Sequence, residues 1–264
     1  MTFKSTLTAV ALFTAMATSA HANVLVNGGF EDGNTNGWTT GTGARDSVDN
    51  TAMTTAQFLP GGALYTGPGS RSSIIGAGTV DPLLGAALGS TVYSGKYSFR
   101  AEDTSYGGYA SVISQKVQNY TDNNIFFAWK AVLQNGGHEE TGSAEMLIAL
   151  TDDTTGQLLI KRIYNAGDGG GGVDSRFKTA GDLFYTSDWQ IEQLAIDSSL
   201  KGHDFTLSLL AADCFYTAHT GYVYLDGFGG KIPDPAPVPE PASAALMLLG
   251  AGALMKARRR KQAK

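Results

Sequence analysis

The sequence predicts an all-β protein, an antiparallel jelly-roll β-sandwich with long loop insertions. Short runs rich in Val, Ile, Tyr, Phe and Thr recur along the chain between Gly, Asn, Asp and Ser residues, a pattern typical of strands and turns. Glycine supplies 34 of the 264 residues. This is about twice its usual share and disfavours helices. Strand and helix patterns do not alternate, which disfavours a doubly wound parallel sheet. About ten short antiparallel strands suit two sheets that each bury one face.

Segments with period-two alternation or a short β-rich composition are predicted as strands: 24–27, 53–59, 97–102, 109–118, 125–134, 144–151, 157–164, 190–196, 205–211 and 222–228. Alternate residues are apolar from Ile125 to Leu133, Trp129 among them, and again from Ala144 to Leu150. These two segments are therefore predicted as neighbouring core strands.

The turn sequence 152–156 lies between two of these segments. It predicts that 144–151 pairs with 157–164 in a hairpin, because Asp, Thr and Gly are favoured in tight turns. The only short helix that the body's sequence allows is at 82–88, where Gly85 weakens it.

Three long segments separate the predicted strands, at 40–52, 60–92 and 165–186. Binding residues concentrate on loops that a rigid scaffold holds in place. We therefore expect any specific function to reside in these insertions. The run Gly167–Asp174 matches a dinucleotide-binding pattern and one copy of a calcium repeat, but it lacks a βαβ unit and neighbouring repeats, so it is interpreted as a glycine loop.

The N-terminus has the three parts of a secretory signal peptide, which we assign to 1–22 as a signal helix. Lys4 supplies the positive charge, an apolar stretch follows, and a small-x-small site ends at Ala22. Signal peptidase is therefore expected to cut before Asn23, and the mature domain is expected to cover 23–232. A domain of this size can be stable without disulfides. Cys214, the single cysteine, is interpreted as a buried thiol, with an intermolecular pair or a reactive group as the alternative.

The C-terminus consists of a proline-rich linker at 233–241, followed at 242–264 by an apolar segment and a basic tail. The 14 apolar residues of 242–255 are fewer than the roughly 18 of a stable membrane span. The basic cluster would nevertheless hold its end on the cytoplasmic side of the inner membrane. The tail is therefore predicted as a hydrophobic helix that is inserted in that membrane transiently, with a permanent anchor as the alternative.

The sequence Pro239-Glu240-Pro241, then the apolar segment, then the arginine cluster resembles the PEP-CTERM sorting signal of Gram-negative bacteria that also make exopolysaccharide. The resemblance implies that an exosortase recognises these three residues and removes the tail. The body would then be released or transferred to the cell surface or the extracellular matrix.

The mature domain is acidic. Residues 23–232 contain 12 of the 19 Lys and Arg but 22 of the 24 Asp and Glu, which gives a net charge of −10. Such a domain repels polyanions at long range, so nucleic acid is not expected as a partner. Neutral glycans and divalent cations are compatible with this charge.

The segment Asn23–Glu31, followed by Gly37-Trp38, resembles the opening of galactose-binding-like jelly-roll domains, a group that contains many carbohydrate-binding modules. Segments 95–100 and 222–226 resemble internal and closing strands of that group, whereas 40–92 has no counterpart in it. The resemblance implies one structural calcium ion between the first and last strands. Glu31 and Asp226 would supply its carboxylates. The alternative is that Glu31 caps a turn and Asp226 accepts a backbone hydrogen bond.

Aromatic side chains in or beside loops are the candidate carbohydrate-binding residues, because flat rings stack on the C–H faces of sugars. They are Trp38, Tyr106, Tyr109 and Trp189, with Tyr65 as a further loop aromatic. The favoured exposed pair is Tyr106 and Tyr109, which flank two glycines. Trp38 has an equally good alternative as a core residue under the first loop.

No residue is nominated as catalytic. His138, His203 and His219 lie in predicted loops or strand ends without a metal-binding spacing, and they are interpreted as solvated residues rather than zinc ligands. The leading hypothesis is a non-catalytic surface or matrix protein that binds or organises exopolysaccharide. A structural or adhesive envelope protein without a glycan site is the alternative, and a jelly-roll glycoside hydrolase or polysaccharide lyase is a third.

Overall fold

The computed structural model describes residues 25–45, 48–216 and 218–235. The signal peptide with its cleavage site, the Pro239-Glu240-Pro241 motif and the tail at 242–264 lie outside these residues. The described strands are β1 (Thr39–Ala44), β2 (Ser73–Gly76), β3 (Tyr97–Ala101), β4 (Tyr109–Val117), β5 (Asn124–Gln134), β6 (Glu145–Asp152), β7 (Gln157–Asn165), β8 (Lys178–Ala180), β9 (Leu183–Tyr185), β10 (Gln190–Ala195), β11 (Phe205–Ala212) and β12 (Gly221–Gly229).

These strands form two antiparallel sheets, which confirms the predicted all-β sandwich. The first sheet has the strand order β1-β4-β11-β6-β7. The second sheet has the order β2-β3-β12-β5-β9-β8, and β10 pairs with the other half of β5. Helical structure within the described residues is limited to three short 3₁₀ turns.

The main core lies between the two sheets and consists of the inward-facing residues of both. Ile125, Phe127 and Trp129 of β5 are fully buried there, as the alternation predicts. The hairpin of β6 with β7 is also confirmed. The expectation that β5 and β6 are neighbours is wrong, because β5 lies in the second sheet and β6 in the first. Alternation predicts which face of a strand is buried, but it does not identify the hydrogen-bonded partner.

Eight of the ten predicted strands are present, and two are not. Residues 25–27 form turns, and within 53–59 the structure has a 3₁₀ turn at Thr55–Phe58. The segment 82–88 forms turns instead of a helix. Strands β1, β2, β8 and β9 were not predicted. β1 was missed because it contains Gly41 and Gly43, where a Cβ atom would collide with the carbonyl oxygens of Phe58 and Leu64.

The segments between β1 and β3 form two further hydrophobic layers on the outer faces of the sheets. Met53 and Phe58 pack on the outer face of the first sheet, against residues of β4, β6 and β11. Leu88 packs on the outer face of the second sheet, against Tyr222 and Tyr224 of β12. Most of 40–92 therefore has a structural role as a cover. Among the residues that the structure describes, no helix is both long and apolar enough to cross a bilayer.

Candidate functional site

Three loops meet at one end of the sandwich, which we call the Tyr106 end. They are the β3–β4 loop (102–108), the β5–β6 loop (135–144) and the β11–β12 loop (213–220). Strand pairing brings them together, because Ala110 of β4 lies opposite Ala212 of β11 and Gly221 of β12 lies opposite Leu133 of β5. Backbone hydrogen bonds join the loops, one from Phe215 N to Gly142 O at 2.9 Å.

The rings of Tyr106 and Tyr109 are exposed at this end, as is that of Tyr216 in the β11–β12 loop. Tyr106 is 64% exposed and Tyr109 is 37% exposed. The Gly107-Gly108 pair between them lets the chain turn sharply, since Gly108 has a φ of +68°. The guanidinium carbon of Arg71 lies 4.4 Å from the centre of the Tyr109 ring. Both tyrosines are therefore accessible to a ligand, and one of them lies beside a cation.

Arg71 is the centre of a charged cluster beside the tyrosines. It forms ion pairs with Glu102, with Asp103 at 2.9 Å and with Asp213 at 3.5 Å. Burial raises the pKa of Asp213 to about 8, and the neighbouring Glu102 adds to this shift. Burial also raises the pKa of Glu102. Asp103 is the most exposed carboxylate of the three, so it is the best placed to meet a ligand.

A cavity of about 500 Å³ opens at the same end, near the glycine loop. Its polar lining includes Asn50, Glu140, Asn165 and Asp174, and Tyr164 provides an aromatic wall. The glycine loop is partly packed, because the backbone of Gly172 accepts a hydrogen bond from Asn165 N at 2.9 Å. The Tyr106 end thus combines exposed aromatic rings with a polar groove.

Trp38 does not belong to this end, and the prediction that it is a sugar-binding residue is wrong. It is only 8% exposed and packs against Phe30 and Phe228 in the main core. Its indole N–H donates to Asn27 O at 3.2 Å. The ring therefore occupies the core position under the first loop, and it has no free face on which a sugar could stack.

Trp189 lies apart from the Tyr106 pair, on the outer face of the second sheet. Its indole N–H donates to Ser90 O at 3.1 Å, and its ring meets Tyr93 edge to face at 5.8 Å. The ammonium of Lys130 lies 5.7 Å from the ring centre. The residue is half-buried. The structure therefore does not bring Trp189 into one platform with Tyr106 and Tyr109.

Glu31 and Asp226 lie near each other at the opposite end, both against the segment 93–97. Asp226 is fully buried and accepts hydrogen bonds from Tyr93 N and Ser94 N at 2.9 and 3.0 Å. Glu31 accepts from the backbone N–H groups of residues 96 and 97. Burial raises the pKa of Asp226 to about 7, and Glu31 adds to this shift. Gly29 separates the two side chains, with each 3.7 Å from the position that a Cβ atom on it would occupy.

The sequence did not predict that residues far apart along the chain contribute to the Tyr106 end. Arg71 and Asp213 were not considered, because they approach Tyr109 only through the sheet register. His138 and His219 lie in loops and are partly exposed, in agreement with the prediction, but the sequence did not indicate that they meet. His138 and His219 converge with Cys214, and their ligand atoms lie within 4.8 Å of one another. His203 lies elsewhere, with its Nδ1 atom 2.9 Å from Asp152.

Comparison with known proteins gives one sequence match. A model of the PEP-CTERM protein-sorting motif matches residues 237–261. The chain thus carries the sorting signal that its C-terminus resembles, and this motif indicates an exported, exosortase-processed protein associated with the cell envelope. No curated protein matches the sequence.

Solved structures similar to the chain include carbohydrate-binding modules. TmCBM61 in complex with β-1,4-galactotriose shares 12% identity over 78% of this chain and 96% of its own, with a TM-score of 0.41. CBM27-1 of Caldicellulosiruptor saccharolyticus, in complex with mannohexaose, shares 12% identity over 80% of this chain and 97% of its own, with a TM-score of 0.39. The K1 cleaved adhesin domain of Lys-gingipain from Porphyromonas gingivalis W83 shares 12% identity over 76% of this chain and 94% of its own, with a TM-score of 0.36. At these identities the likeness concerns the fold alone.

Proposed function

We propose that the protein is a surface or matrix protein of a Gram-negative bacterium, and that its non-catalytic sandwich binds exopolysaccharide at the Tyr106 end. The observation that supports this most directly is the exposed pair of Tyr106 and Tyr109 beside the charged groups of Arg71 and Asp103. The sorting motif at 237–261 also supports the proposal, because it indicates export to the cell envelope.

The chemistry of the Tyr106 end suits a sugar chain. An exposed tyrosine ring offers a flat apolar face for the C–H groups of a pyranose, and its hydroxyl can form a hydrogen bond. Asp103 can accept hydrogen bonds from sugar hydroxyls, and the guanidinium of Arg71 can donate them. Two rings joined by a glycine turn can adjust to successive sugar units.

The charge of the domain favours a neutral polysaccharide over an anionic one. The net charge of residues 23–232 is −10, and Arg71 is surrounded by three carboxylates. An acidic polymer would be repelled at long range at low salt. We therefore expect binding to uncharged polysaccharide to change little with ionic strength.

We further propose one structural calcium ion at Glu31 and Asp226. The buried carboxylate of Asp226 and the side chain of the exposed residue Glu31 both approach Gly29 there, and Glu31 is among the groups that raise the pKa of Asp226. A cation would neutralise this pair, and calcium is bound through oxygen ligands of this kind. The same carboxylates already accept backbone hydrogen bonds, so the ion would share their oxygens with the segment 93–97.

Affinity electrophoresis in gels that contain polysaccharide from the producing strain tests the proposed function. The processed protein is expected to be retarded, and the double variant Tyr106→Ala with Tyr109→Ala is expected to lose roughly tenfold or more in affinity, since each lost ring contact costs about 1 kcal/mol. Leu158→Ala is the matched control, because Leu158 is 51% exposed and lies on β7 near the opposite end. Retardation that is absent, or equal in all three proteins, would contradict the proposal and favour an envelope protein without a glycan site.

A further inference from the structure

His138, Cys214 and His219 form a cluster of metal-ligating atoms that the glycan site does not use. His138 Nε2 lies 3.2 Å from His219 Nδ1, and Cys214 Sγ lies 3.3 Å from the same nitrogen. Cys214 is fully buried, and the two histidines are partly exposed. The three side chains therefore surround one point at the edge of the protein, with access from solvent.

We propose that these three residues bind one transition-metal ion of the zinc type, with its fourth coordination position open to solvent. A tetrahedral zinc ion with Zn–N bonds of about 2.0 Å and a Zn–S bond of about 2.3 Å places its ligand atoms roughly 3.3 to 3.6 Å apart. The two separations in the cluster are close to these values. Imidazole and thiolate are the ligands that zinc and copper prefer, whereas calcium and magnesium take oxygen.

Hydrogen bonding alone accounts poorly for this arrangement. The Nδ1 atom of an imidazole carries either one hydrogen or one lone pair, so it forms one good hydrogen bond in the plane of the ring. In this cluster the Nδ1 atom of His219 has two close neighbours, the nitrogen of His138 and the sulfur of Cys214. Three ligands around a shared ion produce this pattern.

The surroundings hold the ligands in place. Gly136 lies so close to both imidazole rings that a Cβ atom there would collide with His138 and His219. The ring of Tyr216 covers His138, with 4.2 Å between the ring centres.

An ion bound by these three residues would link two loops of the sandwich. His138 lies in the β5–β6 loop, and Cys214 and His219 lie in the β11–β12 loop. Each of these loops connects one sheet to the other. An ion bound between them would therefore join two connections between the layers next to Tyr106, and its binding free energy would stabilise the folded state.

The test is metal binding by the reduced, metal-free protein, measured by calorimetry with Zn²⁺ and by absorption with Co²⁺. We expect one ion per chain, a thiolate-to-cobalt charge-transfer band, a higher melting temperature with Zn²⁺ and no effect of Mg²⁺. Cys214→Ser and His138→Asn should each weaken binding of Zn²⁺ by more than about 100-fold, because even losses outside the ligand shell cost 10- to 100-fold. His203→Asn is the matched control and should bind like the parent protein.

Folding is checked separately by circular dichroism of each metal-free variant. His138→Asn serves where Cys214→Ser fails to fold, because His138 is only partly buried. Gly136→Ala adds a second test, since it should displace both imidazoles and weaken Zn²⁺ binding without removing a ligand. The absence of a 1:1 complex, or a complex unaffected by all of these substitutions, would overturn the proposal.

Discussion

The carboxylate of Asp81 accepts hydrogen bonds from the hydroxyl of Tyr222 at 2.9 and 3.0 Å, across 141 residues of sequence. The same carboxylate accepts from Tyr224 OH at 2.8 Å and from Leu84 N at 2.7 Å. It thereby fastens the start of the 81–92 segment to β12. The covering layer on the second sheet depends on this anchor as well as on the burial of Leu88.

Asp81→Ala should destabilise the protein by about 3 kcal/mol. The substitution leaves two buried tyrosine hydroxyls without an acceptor, and each unsatisfied group costs about 1–3 kcal/mol. Urea unfolding followed by tryptophan fluorescence measures the change. Asp81→Asn keeps one acceptor oxygen and should lose less, and Asp168→Ala, at an exposed position, should lose nothing measurable. An Asp81→Ala variant as stable as the parent would show that the anchor is unimportant.

Glu145→Gln should stabilise the protein at alkaline pH. Glu145 is fully buried, neither of its carboxylate oxygens has a hydrogen-bond partner, and burial raises its pKa from 4.5 to about 8. Arg45 and Lys161 favour its charged form, whereas Asp49 opposes it. Because the folded state holds a proton that the unfolded state releases, the stability from this group is present below about pH 4.5 and is lost as the pH rises through about 8.

Denaturant unfolding at pH 5, 7 and 9 measures this effect. The parent protein should lose stability across this range, and the Gln variant should lose less, so that the two differ by on the order of 3 kcal/mol at pH 9 and little at pH 5. The exposed Glu139→Gln variant is the control and should follow the parent. Parallel profiles of the parent and Glu145→Gln would show that Glu145 is ionised in the folded state at neutral pH.

Trp38→Ala should affect stability and leave glycan binding unchanged in the folded fraction. Removing a large aromatic side chain from the core costs about 3–5 kcal/mol. Trp189→Ala is the comparison, because Trp189 is half-buried on an outer face and should cost less. Thermal unfolding and polysaccharide retardation are measured on the same samples. Loss of retardation in a fully folded Trp38→Ala protein would show that Trp38 contributes to glycan binding after all.

Calcium should raise the melting temperature of the parent protein, and Glu31→Gln and Asp226→Asn should abolish that rise. The physical reason is that an ion which binds only the folded state stabilises it by mass action. Differential scanning calorimetry with Ca²⁺, and with Mg²⁺ as the comparison ion, measures the shift. Equal shifts in the parent and both variants, or no shift in any of them, would rule out the calcium site while leaving the glycan site untouched.

The sequence predicted the sandwich because its main strands alternate regularly and are long enough to show it. β5 and β6 each bury every second residue between the sheets, and this pattern can be recognised in the sequence even when the partner strand is unknown. β1 was missed because close approach of the covering layer requires Gly41 and Gly43, which weaken the strand pattern. β8 and β9 have three residues each, too few to show a period.

Only those parts of the candidate site whose residues are close together in the sequence were predicted. The exposure of Tyr106 and Tyr109 follows from the glycine turn between them, whereas the position of Arg71 depends on how β2 meets β3. His138 and His219 are 81 residues apart and meet because β5 pairs with β12. For the proposed metal-binding residues, the one local signal in the sequence was the pair Cys214 and His219, which lie five residues apart in one loop.

The most direct test of the account is the equilibrium affinity for an oligosaccharide fragment of the native polysaccharide, measured by calorimetry on the parent and on the Tyr106→Ala, Tyr109→Ala double variant. We expect saturable binding by the parent and at least a roughly tenfold loss in the double variant, with both proteins equally folded. Equal affinities in two folded proteins, or the absence of binding by the parent, would contradict a glycan site at the Tyr106 end.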